Sequence, residues 1–169
     1  MTDLSLRALE MDDLDVLFEV ENDTQLWKYT DRSHPYTKAF LMEYVLQSHL
    51  TVQEAGQLRL ALSNSQNTAL GFVDLFDVDL HHQRAGVGMA IRSDKQNQGL
   101  GSTALSLLLD YCRSHLSLHQ LYCDIDVANT ASIRLFENAG FIQKGEKQDW
   151  NFYNQSYHSV YFYQKLLNP

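Results

Sequence analysis

The chain has 169 residues, 44% of them hydrophobic, which suits one compact domain with a sheet-and-helix core, and it is read as a single domain over 1–169. Its 21 acidic and 13 basic side chains give a formal charge of -8, which repels phosphate backbones, excludes nucleic acid as the expected partner and suits a cationic substrate. No apolar run is long enough to span a bilayer, and Met1, Thr2 and Asp3 lack the basic and apolar regions of a signal peptide, so a soluble, cytoplasmic protein without membrane association is expected.

Leu4, Leu6 and Ala8 alternate with Ser5, Arg7 and Leu9 as in a short strand, and Asp12 and Asp13 then open a helical segment with Leu14, Leu17, Phe18 and Glu21. An irregular stretch, Asp23 to His34, precedes a second helix from about Tyr36 to Leu50, which presents Phe40, Leu41, Tyr44 and Val45 on one side after Pro35. From Gln57 the period changes to two. Leu58, Leu60 and Leu62 alternate with other residues, a turn follows at Asn64 to Asn67, and Ala69 to Leu80 is apolar and extended. Arg84 to Arg92 reads as a further strand whose Gly86 and Gly88 mark a bulge or a close approach to the backbone, completing an antiparallel meander. The second half alternates a helix from about Gly99 to His115, a strand from Gln120 to Val127, a helix from Asn129 to Ala139 and extended segments from Phe141 onward, with a hairpin turn at Asn154 and Gln155. Cys112 and Cys123 fall inside apolar periodic segments and read as buried thiols.

The most informative local segment is Gln96-Asn97-Gln98-Gly99-Leu100-Gly101-Ser102, which follows a strand and opens a helix. The missing side chains of Gly99 and Gly101 let main-chain N–H groups approach a ligand, and the unsatisfied donors of a helix start favour an anion there. Asn97 tolerates a left-handed conformation. The GK[ST] ending of a Walker loop is absent, and Gly86-Val87-Gly88 lacks the third glycine of a dinucleotide fingerprint.

A second segment begins 28 residues after Gly101: Asn129-Thr130-Ala131-Ser132-Ile133-Arg134-Leu135-Phe136-Glu137-Asn138-Ala139-Gly140-Phe141. Taken locally, Asn129 caps a helix and Gly140-Phe141 stops it in a Schellman turn. Together, Q-x-x-G-x-G, helix, strand and N-x-x-S-x-x-x-[YF]-x-x-x-G-F resemble the acyl-CoA signature of the GNAT superfamily of N-acetyltransferases. Within it, Gly71 to Leu166 is most similar to bacterial diamine or spermidine N-acetyltransferases and then to ribosomal-protein N-terminal acetyltransferases. The resemblance implies an α/β fold, a mixed, mostly antiparallel twisted sheet of about seven strands flanked by about four helices. It also implies acetyl-CoA as co-substrate. The main chain of Met89, Ala90 and Ile91 would then pair with the pantetheine, the amides of Gln98 to Ser102 would hold the pyrophosphate, Asn129 would hydrogen-bond the pantetheine arm, and Ser132 and Phe136 would line the thioester end.

The implied reaction is direct attack of a primary amine on the thioester in a ternary complex, without metal or covalent enzyme intermediate. The amine belongs to a diamine-like or polyamine-like small molecule, an amine-bearing antibiotic or a protein N-terminus. Such an amine is mostly protonated at neutral pH, so proton removal needs a base. Candidates for that base, or for binding the amine, are Asp74 and Asp77 on the third strand, His81 and His82 at its end, and Asp124 and Asp126 on the fifth. Alternation puts Tyr122, Asp124 and Asp126 together on the wetter face of that strand. No third ligand accompanies His81-His82 at a recognisable spacing, so no metal is expected.

The sequence departs from the family pattern at two places. Phe136 stands where family enzymes often carry a proton-donating tyrosine, leaving water, Ser132, Tyr153, Tyr157 or Tyr161 to supply the proton. Gly86 stands where the polyamine enzymes carry a glutamate, and the acidic cluster near the second helix is thin, with Asp31 beside Arg32, Ser33 and His34. The second departure argues against polyamine specificity, and the missing hydroxyl at Phe136 supports the alternative reading, a GNAT-fold module that binds acyl-CoA with little or no turnover. The aromatic C-terminal strand offers a surface for a homodimer or larger homo-oligomer.

Overall fold

The computed structural model describes residues 3–30 and 32–167. Strand β1 (Ser5–Ala8) leads through a 3-10 turn into helix α1 (Leu14–Glu21), followed by the single turn α2 (Thr24–Trp27), α3 (Lys38–Leu46) and a second single turn, α4 (Val52–Ala55). The strands β2 (Leu58–Ser63), β3 (Ala69–Asp79) and β4 (Arg84–Ile91) come next, then α5 (Leu100–Tyr111), β5 (Gln120–Asp126), α6 (Thr130–Asn138) and the hairpin β6 (Ile142–Tyr153) and β7 (Ser156–Leu166). Local chemistry sets the ends of these elements. The Thr37 hydroxyl accepts the amide of Phe40 at the start of α3, and Thr51 and Glu54 form a capping box on α4 before Gly56 turns left-handed. The Phe141 amide reaches the Phe136 carbonyl (3.0 Å) and the Gly140 amide that of Glu137 (2.9 Å), so α6 ends in the expected Schellman turn. Asn154 and Gln155 both adopt positive φ (50° and 59°), as a two-residue hairpin turn demands.

The seven strands form one sheet in the order β1-β2-β3-β4-β5-β7-β6. Every neighbouring pair is antiparallel except β4 and β5, which run parallel. Register assigns the two faces, because residues directly opposite each other share a side. Phe72 opposite Ala90, Asp74 opposite Gly88 and Phe76 opposite Gly86 face α1 and α3, where Leu17, Leu41 and Val45 join Phe72 in a core. Val73, Leu75, Val87, Leu121, Cys123 and Ile125 face the other way, packing with Ala104, Leu105 and Leu108 of α5. Burial pushes the Cys112 thiol up to about 12 and raises that of Cys123 as well, so both remain protonated core residues.

Several details differ from the sequence reading. The irregular stretch after Asp23 contains α2, capped by the Asp23 carboxylate, and α5 passes at Cys112 into a π-helical turn that Ser117 (φ 50°) ends. Phe40 is not on the buried side of α3. It is 47% exposed and stacks on Tyr36 at 4.6 Å. Asp126 is not on a wet surface either. It is 4% exposed because the hairpin folds over it, bringing the Tyr153 hydroxyl and the Asn151 amide to its carboxylate. The C-terminal strand β7 is paired on both sides, by β5 and β6, so β6 and not β7 is the edge at that end of the sheet. No described helix is long and apolar enough to cross a membrane.

The entry to α1 is fixed by a buried ion pair: Asp13, 3% exposed, accepts two bonds from Arg7 (2.7 and 2.9 Å) and one from the Glu10 amide (2.9 Å). Burial opposes its charge, but these donors outweigh it and hold the carboxyl below the ordinary range. A depressed folded pKa contributes stability above the ordinary aspartate value, near 4, and loses it as pH falls through the folded value. Asp13→Asn is expected to lower unfolding stability by about 3 kcal/mol at pH 7. Urea titrations should show the parent-variant gap closing below about pH 4. A gap unchanged at pH 3 would contradict the assignment.

Candidate active site

Strands β4 and β5 are paired only at Arg84–Gln120, Ala85–Leu121 and Gly86–Tyr122. Beyond Gly86, β5 follows β7 to Asp126 while β4 follows β3 to Ile91. The two strands therefore splay, and the β5-facing edge of β4 from Val87 to Ile91 keeps backbone donors and acceptors without a strand partner. Met89, Ala90 and Ile91, the residues expected to pair with a pantetheine, lie on this edge and are half-buried. Gly86 owes its identity to close packing. A Cβ there would sit 2.2 Å from the Phe76 ring, so the space of the expected glutamate is taken by an aromatic. The bulge lies instead on β3, between Phe76 and Asp79, where Asp77 takes φ 47°.

The end of β4 turns into α5 through Gln96 to Gly99, all exposed. Gln96 donates to the Ile91 carbonyl (3.3 Å), Asn97 adopts the left-handed conformation (φ 60°), and Gly99 does the same (φ 78°) with nothing within 4 Å of where a Cβ would point. The amides at the start of α5, including Leu100, Gly101 and Ser102, have no intrahelical acceptor. An open glycine turn at the head of a helix, beside an unpaired strand edge, has the donors and the room for a diphosphate with a linear polar arm, and so fits coenzyme A. Gly101 also serves the packing of the helices, since a Cβ there would meet Leu135 Cδ2 at 3.3 Å and its absence lets α6 approach α5.

On α6 the Asn129 carboxamide oxygen accepts the Ser132 amide (3.2 Å), which occupies the oxygen in capping and leaves the side-chain amide for a ligand. Phe136 is inside the core at 4% exposure, with its ring edge-on to Phe141 at 5.0 Å. It is a packing residue.

The four aspartates separate. Asp74 lies against Gly88, next to the unpaired edge of β4, and also lines a cleft of about 410 Å³ on the α1–α3 face of the sheet. Asp77 is exposed within the bulge, Asp124 pairs with Lys147 at 2.7 Å, and Asp126 is held beneath the hairpin. Burial lifts the Asp74 carboxyl above the usual range and Arg59 pulls it back only in part. His81 and His82 pack against each other at 4.6 Å, and the described residues contain no metal-ligand cluster. Asp31 lies outside the described residues. Among the hydroxyls, Tyr153 bonds Asp126 (3.2 Å) with its pKa pushed up to about 12, Tyr157 is exposed, and Tyr161 borders the main core.

The cleft also contains charged residues that sequence reasoning does not mark as candidates for the site. Arg59 on β2 contacts Asp74 through Nε and, at 3.2 Å, through Nη2, and reaches Glu21 Oε1 at 2.5 Å, while Arg32 pairs with the other oxygen of Glu21 and lies 3.4 Å over the Tyr36 ring. Burial works against the Arg59 charge, but Asp74 and Glu21 outweigh it, so the guanidinium stays ionised. The available signal was a charged residue inside an apolar strand, Leu58-Arg59-Leu60, covered on both faces.

Residues 3–142 match the family model described as the acetyltransferase (GNAT) domain. The spermidine N(1)-acetyltransferase of Vibrio cholerae is 27% identical over 157 residues, covering 93% of this chain and 89% of that one, and that of Escherichia coli K12 is 26% identical, covering 93% and 82%. The putative ribosomal N-acetyltransferase YdaF of Bacillus subtilis is 23% identical, covering 96% and 91%. The crystal structure of the Vibrio cholerae enzyme in complex with CoA and spermine superposes with a TM-score of 0.88 at 26% identity, over 97% of this chain and 95% of that one. A dodecameric structure of the same enzyme gives 0.80 at 26% identity over 97% and 94%. The chain belongs to the GNAT family of acetyl-CoA-dependent N-acetyltransferases.

Proposed function

We propose that this chain acetylates the primary amine of a small molecule that enters the cleft lined by Glu21, Arg59 and Asp74 and meets the acetyl donor at the open edge of β4. The observation that carries the reading is Asp74, a carboxylate with a raised pKa that borders both the cleft and Gly88. Bound acetyl-CoA supplies the acetyl thioester. The chain's own groups do the rest: the amides of residues 98 to 102 and the β4 edge hold the donor, the cleft holds the amine, and Asp74 takes the ammonium proton. A carboxylate whose pKa is raised is a stronger base than an exposed one. Similarity to spermidine N-acetyltransferases supports diamines and polyamines as acceptors to assay, and similarity to a ribosomal N-acetyltransferase supports protein N-termini. The alternative of an acyl-CoA-binding module rests on Phe136, which brings no hydroxyl.

Release of free CoA thiol on adding amines to the protein with acetyl-CoA tests the reading, since a binding module would be stabilised thermally by acetyl-CoA without releasing thiol. Asp74→Asn is expected to lower kcat/KM about 100-fold. Its pH profile should lose the inflection belonging to the carboxylate and keep that of the amine. A variant with parental rate and profile would remove Asp74 from the mechanism.

Gly99→Val forces a β-branched residue into φ 78°, and Gly101→Val drives a Cβ toward Leu135. Calorimetry is expected to show acetyl-CoA binding weakened by at least about tenfold in Gly99→Val, with Gly101→Val losing both affinity and thermal stability. Parental affinity in both would overturn the phosphate role of this turn.

A homo-oligomer belongs to the same proposal. It is supported by the dodecameric relative and by Trp150, Phe152 and Tyr157, which are 62–65% exposed on the β6–β7 hairpin. Light scattering should report more than one chain per particle, and Trp150→Ser combined with Phe152→Ser should reduce that number. A parental mass in the double variant would move the contact elsewhere.

A further inference from the structure

The acceptor cleft has a charge pattern that a polycation does not need. Its ionisable groups form an alternating row: Asp74, Arg59, Glu21 and Arg32, each contacting the next. Two carboxylates are balanced by two guanidiniums, so the row as a whole is neutral, and both acids already have cationic partners. A polyamine would bring two or more cations against these arginines, each at the cost of like-charge repulsion, whereas an acceptor with a single amine meets that cost once. At the Arg32 end there is a donor with nothing to bind. Arg32 Nη1 is buried and makes no hydrogen bond among the described residues, although Nη2 is held by Glu21 and the guanidinium plane by Tyr36. A buried, unpaired donor on a charged group is costly, and an anion brought within its reach relieves that cost.

We infer that the acceptor is an aminocarboxylate, its amine directed to Asp74 and its carboxylate to Arg32, with an apolar spacer along Tyr36, Phe40 and Phe76. This rests on the proposed acetyl transfer and specifies its substrate class. Three ionic contacts separate Asp74 from Arg32, so the two ends of the acceptor are held apart, as in an ω-amino acid. The guanidinium, stacked on Tyr36 and tied at Nη2, is held in a fixed plane beside the cleft, so that a carboxylate reaching Nη1 gains a charge-assisted bond that a neutral amide does not.

The decisive experiment is thiol release from acetyl-CoA with 4-aminobutanoate and 6-aminohexanoate, the carboxamide of each, 1,4-diaminobutane and spermidine, run on the parent and on Arg32→Gln and Arg32→Lys. The expected result is a kcat/KM at least about tenfold higher for an aminocarboxylate than for its own carboxamide and for both polyamines. That preference should be lost in Arg32→Gln, partly kept in Arg32→Lys, and lost through KM rather than kcat. Acetyl-CoA-dependent thermal shifts establish that each variant is folded. Turnover in which the carboxamides or the polyamines equal or exceed the aminocarboxylates overturns this inference and leaves the acetyl-transfer reading standing. Thiol release from no amine at all, in protein that acetyl-CoA stabilises, overturns both. A preference that persists unchanged in Arg32→Gln also overturns it, because the carboxylate is then read elsewhere.

Discussion

The structure depends on one interruption of pairing. A sheet normally satisfies the backbone on both sides of an internal strand, and β4 does so only as far as Gly86. From there β5 is paired with β7 and β4 with β3, each by a long antiparallel ladder, and the gap between them stays open. The unpaired edge of β4 and the head of α5 are thus adjacent parts of one polar surface. Such a surface offers unpaired main-chain donors and acceptors beside the free amides of a helix start, the chemistry that an amide-bearing arm joined to a diphosphate requires.

The two faces of the sheet divide the labour. The face under α5 is continuous apolar core, with both cysteines and Phe136 inside it, and it holds the splayed strands rigidly. The face under α1 and α3 is only partly apolar, since Phe72 and Leu41 pack at one side while Asp74 and Arg59 open into a cleft. Gly88 and Asp74 are the point where the two functions touch. A Cβ placed at Gly88 would lie 3.8 Å from the Asp74 side chain, so the carboxylate sits directly against this part of the strand.

Charge in the cleft is organised as pairs rather than as a single-signed field. Burial raises the pKa of Asp74, and the same burial would be prohibitive for Arg59 without its two carboxylate partners. The net charge of -8 therefore describes the solvated exterior, and the local balance at the site is close to neutral. Global charge therefore does not report the balance of charges that line the cleft.

The sequence by itself determined whatever depends on neighbours along the chain. The glycine turn at Gly99, the Asn129 cap, the Gly140 stop, the Asn154-Gln155 hairpin and the alternation of β2 to β4 are all local stereochemistry, and each was legible from residue order alone. The order of those local signals also carried the family. Tertiary structure alone decided which charges meet. Arg59, Glu21 and Arg32 lie on different elements, 38 and 11 residues apart in the chain, and their row with Asp74 exists only because α1 folds across β2 and β3. It also decided that Asp126 is covered and Asp124 is paired, since alternation names the face of a strand but not what a distant hairpin lays upon it. Spacing is written in the sequence, whereas burial and partnership are set by contacts between segments that the sequence does not place side by side.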